Sequence, residues 1–150
     1  MTLGQMLLVL LAVVLFSTIL VSFYFGMITQ MEKAVSNIYF SQALKIAEKV
    51  FQEYEAKEIG QNMTFDEVFE AVNNAPMVTE EVRGIFYFVD TLSRQCTSSG
   101  GVTPPLPADF DHQRLEVRIR IETGSATYLA GTEDHPFTKV LSRNEWGGTP

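Results

Sequence analysis

The chain of 150 residues opens with thirty-one residues that carry no charged side chain; the first charges are Glu32 and Lys33. No Lys or Arg precedes the apolar run, which excludes the basic amino-terminal region of an ordinary signal peptide. It also removes the basic residues that normally set the orientation of a span. Two expectations fit this gap: a basic leader has been removed ahead of Met1, or the chain has no orientation signal. The first accounts for more of the pattern. Proline is missing before Pro76, and the only glycines before Gly60 are Gly4 and Gly26, so little punctuates the first sixty residues. The single cysteine, Cys96, excludes a disulfide within the chain. It reads as a free thiol in a loop, with an intermolecular bridge as the alternative. Also missing are a G-x-S-x-G elbow, an H-E-x-x-H pair, a P-loop and a dinucleotide fingerprint, and no enzyme is expected.

What is present divides into four pieces. Residues 1–28 are apolar throughout and long enough to cross a bilayer, which takes roughly 20 apolar residues. Residues 29–58 contain neither proline nor glycine and are rich in Ala, Gln, Glu, Lys and Leu, the better helix formers. Phe40, Leu44, Ala47, Phe51 and Tyr54 fall four and three residues apart, on one helical face. Met31, Val35 and Ile38 extend this stripe backward, while Ile46 and Val50 broaden it. Lys45, Lys49, Glu53 and Lys57 occupy the other side at neighbour spacing. The spacing predicts one helix over residues 2–59, on the order of 85 Å long at its usual rise. Its first part, 1–28, is a transmembrane or filament-core segment, and 29–59 is its amphipathic continuation.

Residues 60–150 read as a globular head. Thr64 and Glu67 form a capping box. Phe65, Val68, Phe69 and Val72 give one apolar face, so a short helix is predicted over 64–74, ended by Asn73-Asn74-Ala75-Pro76. Residues 85–89 are a compact run of strand formers. Residues 114–122 alternate strictly, with Leu115, Val117, Ile119 and Ile121 against Glu116, Arg118, Arg120 and Glu122, the signature of a strand with one buried face. Thr123-Gly124-Ser125 turns it back into 126–130, and 137–141 is a further strand. A Ser-, Gly- and Pro-rich loop occupies 98–107. The fold class is therefore α+β: a long amino-terminal helix packed on an antiparallel sheet of three or four strands.

Charge bounds the partners. The formal net charge is −7. Residues 1–60 carry four basic and five acidic side chains, and residues 61–150 seven and thirteen, so the acidity is distal. An acidic head is a poor binder of nucleic acid or anionic lipid, although Arg114, Arg118 and Arg120 make a local basic strip. Asp109/Asp111/His112 and Glu133/Asp134/His135 are small acid–histidine clusters. Their oxygens would suit calcium, but they match no EF-hand or zinc spacing, and solvated loop charges explain them more simply. No cofactor is expected. Asn62-Met63-Thr64 fits a glycosylation sequon. The aromatic residues of the long helix read as packing and interfacial residues.

The opening Met1-Thr2-Leu3, the charge-free helix running into an amphipathic one, and the small sheet beyond resemble a type IV pilin or pseudopilin. The resemblance covers the first fifty-odd residues closely and the rest in outline. It implies cleavage by a prepilin peptidase, N-methylation of Met1 and an inner-membrane location before assembly by membrane machinery. It further implies self-assembly into an extracellular surface filament serving adhesion or motility, with no nucleic acid along the shaft. Leu7, Leu8, Leu11, Val14, Leu15, Ile19 and Leu20 would form the filament core, and Phe40, Leu44, Ala47, Phe51 and Tyr54 would pack under the subunit's own sheet. The Thr103–Pro107 loop and Trp146-Gly147-Gly148 would supply subunit contacts. Some pseudopilins bind calcium in distal loops. The chain departs from the family in carrying Gln5 where a glutamate usually neutralises a neighbour's amine. It also has no proline in the apolar half, where any break would fall near Gly26, and it lacks a carboxy-terminal cysteine pair. Two alternatives stand beside the pilus: a pseudopilin of a type II secretion system, and a bitopic protein anchoring an extracytoplasmic binding or sensor domain.

Overall fold

The computed structural model describes residues 2–60, 63–102 and 111–143. The chain divides into two compact units, residues 1–38 and 39–150. A single helix, α1 (Leu3–Ile59), runs from the first into the second without interruption at Gly26. Three hydroxyls in its apolar part donate to carbonyls one turn back, Ser17 to Val13, Thr18 to Leu15 and Thr29 to Phe25. They are thus satisfied inside the helix, as a polar group in an apolar medium must be. Gly60 follows the last turn, its N–H donating to Ala56 O.

In the second unit α2 (Phe65–Asn74) is capped by Thr64. The Glu67 N–H donates to the Thr64 hydroxyl while the Thr64 N–H donates to the Glu67 carboxylate at 2.7 Å. Five strands follow: β1 (Val78–Val82), β2 (Ile85–Gln95), β3 (His112–Glu122), β4 (Thr127–Ala130) and β5 (Phe137–Ser142). All pairings are antiparallel, in the order β1-β2-β3. The far edge of β3 is shared, with β4 on residues 119–122 and β5 on residues 112–117.

The sheet corrects the expected three or four strands to five. The missed strand, β1, is Val-Thr-Glu-Glu-Val, a charged edge strand without clean alternation. It is joined to β2 by Arg83-Gly84, both with positive φ (55° and 78°), the backbone of a tight type I′ hairpin turn. Arginine is an unusual occupant of that conformation, so the turn leaves no familiar mark in the sequence. β2 also runs six residues beyond the predicted end, because ten of its residues pair with β3.

The core lies between one face of this sheet, part of α1 and α2. Leu115, Val117, Ile119 and Ile121 are buried with Tyr87, Val89, Val68 and Val72. From α1 the buried residues are Ala43, Ile46, Ala47 and Phe51, with Tyr39, Val50 and Tyr54 partly buried against them. Two residues of the predicted stripe need correction: Phe40 and Leu44 remain 49% and 42% exposed. The packed face is rotated toward Tyr39 and Ala43, where alanines at 43 and 47 admit the sheet closely. Phe40 only borders it, its ring 5.7 Å from that of Phe137. Gln113 ties α2 to the sheet, accepting from Ser93 Oγ at 2.9 Å and donating to Phe65 O at 3.2 Å.

Candidate functional site

Two surfaces carry chemistry that the fold does not consume. The first is α1 through residue 38. Its most apolar eighteen-residue stretch has no buried residue. Twenty-two large apolar side chains between Leu3 and Ile38 stand exposed, among them Leu7, Leu8, Leu11, Val14, Leu15, Ile19 and Leu20. The helix is long and apolar enough to cross a bilayer by length and composition. Its start is capped locally. Gln5 Oε1 accepts from the Thr2 N–H at 3.2 Å, and Thr2 O accepts from the Gln5 and Met6 N–H groups. Thr2-Leu3-Gly4-Gln5 thus follows half of the S/T-x-x-E/Q capping pattern, a signal legible in the sequence that the reading of Gln5 as a partner for a neighbouring chain passed over. Met1 lies outside the described residues, as do the Thr103–Pro107 loop, Asn62, Asp109 and Trp146-Gly147-Gly148.

The second surface is the sheet face turned away from the core, where the even-numbered residues of β3 lie. Glu116 is only 2% exposed, and three guanidinium groups converge on it. Arg114 donates to its carboxylate through two nitrogens, while Arg94 and Arg118 stand 3.6 Å away. Arg114 also donates to Gly100 O at 3.0 Å. A buried carboxylate is tolerated because its compensating charges and hydrogen bonds are in place. Two members of the predicted basic strip, Arg114 and Arg118, are thereby turned upon an acid and joined by Arg94, which lies beyond the predicted end of β2, while Arg120 pairs with Glu122.

Residues 131–136, between β4 and β5, line the same face. They leave the sheet at Gly131, whose φ is +64°. A Cβ there would sit 2.6 Å from Val117 O and 2.8 Å from the Phe137 ring, so only glycine fits. A cavity of about 310 Å³ brings Glu133, Asp134 and His135 beside Arg94, Arg114 and Glu116. A second of about 340 Å³ lies along β2, β3 and β4 and includes Phe88, Arg118 and Leu129. Among the described residues no three of His, Cys, Asp and Glu are grouped to hold a metal ion. Asp111 instead meets Arg143, which donates its N–H to Asp111 O and lies 3.9 Å from its carboxylate. Cys96 is a free thiol but not an exposed one: it is 3% exposed at the end of β2, its N–H donating to His112 O. Burial pushes its thiol pKa up, with Arg114 pulling weakly the other way, so little thiolate forms at neutral pH. No protein-family model, curated protein or solved structure matches the chain.

Proposed function

We propose that the chain is the structural subunit of a type IV pilus-like helical filament, held together by its amino-terminal helix. The observation that carries this reading is the uncovered apolar surface of α1. Twenty-two large apolar side chains stand exposed between Leu3 and Ile38. At ~1.5–3 kcal/mol for each full burial, their removal from water is favourable by tens of kcal/mol, as an upper bound. A bilayer satisfies this surface before assembly. Outside the bilayer it must be covered by copies of itself, since assembly entropy offsets only part of that gain. Head-to-tail contacts between identical copies that do not close a ring grow a helical fibre.

Leu7, Leu8, Leu11, Val14, Leu15, Ile19 and Leu20 form the shared core under this reading, and the acidic second unit meets solvent. Gln5 caps its own helix and carries no charge, so it contributes no ion pair to a neighbour's amine. Membrane-bound assembly machinery and a prepilin peptidase are the partners the reading requires. The experiment is electron microscopy of material sheared from cells expressing the chain, with identification of the chain in any fibre. Fibres a few nanometres wide built from it are the expected result. A chain found solely as an isolated membrane species, or one that stays monomeric once detergent is withdrawn, overturns the proposal. The first of those results is what a membrane-anchored binding domain gives; fibres confined to a secretion apparatus identify a pseudopilin.

A further inference from the structure

We draw no further inference here: the strongest candidate, the exposed apolar ridge of Phe40 and Leu44 on α1 beside the Phe137 ring, carries nothing because nothing in the structure shows what covers it.

Discussion

The two parts of α1 share one unbroken backbone and differ in almost everything else. Residues 3–28 carry no charge on any side and, like residues 29–38, bury nothing, whereas residues 39–59 concentrate their apolar groups on one face and bury Ala43, Ile46, Ala47 and Phe51. Helix formation was decided in both by the same local factors: good helix formers and the lack of proline. Where each part can exist was decided by how the polar residues are distributed around the axis. An apolar stripe can be covered by one sheet of the same chain. An apolar cylinder can be covered only by lipid or by several other helices.

A charge placed in the cylinder breaks this contrast most severely. Leu15→Arg is expected to penalise membrane insertion by ~2.5–3.5 kcal/mol, seen as loss of the chain from the alkali-resistant membrane fraction. Leu44→Arg, at a half-exposed position of the second part, should leave that fraction unchanged. Equal behaviour of the two variants would erase the distinction between the parts.

The same contrast between local pattern and tertiary cover recurs on β3. Glu116→Gln leaves three guanidinium groups around an uncharged side chain, and a loss of ~3–5 kcal/mol in chemical denaturation is expected from breaking a buried charge cluster. A loss near zero would mean that the cluster is solvated. Gly131→Ala forces a side chain into a left-handed conformation against Val117 O, with an expected loss of ~1–3 kcal/mol. It is a narrower test, since it alters one bend without touching a charge.

The smallest effects are at the start of α2. Thr64→Ala should cost about 1 kcal/mol. The Thr64 N–H, and then its hydroxyl, hold the Glu67 carboxyl below its ordinary value of 4.5. A lowered folded-state value means that the stabilisation is complete above pH 4.5 and disappears as the pH falls through the folded value. The stability difference between the native chain and Glu67→Gln should therefore shrink on acidification through that window. A difference that stays constant with pH rules the capping carboxylate out as its source.

Local signals located most of these elements. The cap at Thr64, the alternation of 114–122 and the uninterrupted helix all rest on contacts within a few residues, and α1, α2 and β3 lie close to where the spacing puts them. β1 was illegible because its two valines, which share a face, have the charged Glu80 between them on that face, and its turn uses Arg83-Gly84. The face of α1 that packs was misjudged by one position at Phe40 and Leu44, because periodicity marks a broad apolar arc and does not say which edge of it meets the sheet. Glu116 read as a solvent-facing member of an alternating strand. Only the neighbouring strand, with Arg94, and the residues following Gly131 make it a buried centre.

The sequence by itself determined that this protein has a long uncharged helix, that the helix continues amphipathically, and that β3 has one apolar face. Each follows from composition and period along a short stretch of chain. The tertiary structure alone decided that the far edge of β3 is divided between β4 and β5, that three arginines close on one carboxylate, and that the buried Arg118 Nε–H has no acceptor among the described residues. Those features depend on how separate strands come together, and pairing register, unlike periodicity, is set only when the whole sheet is assembled.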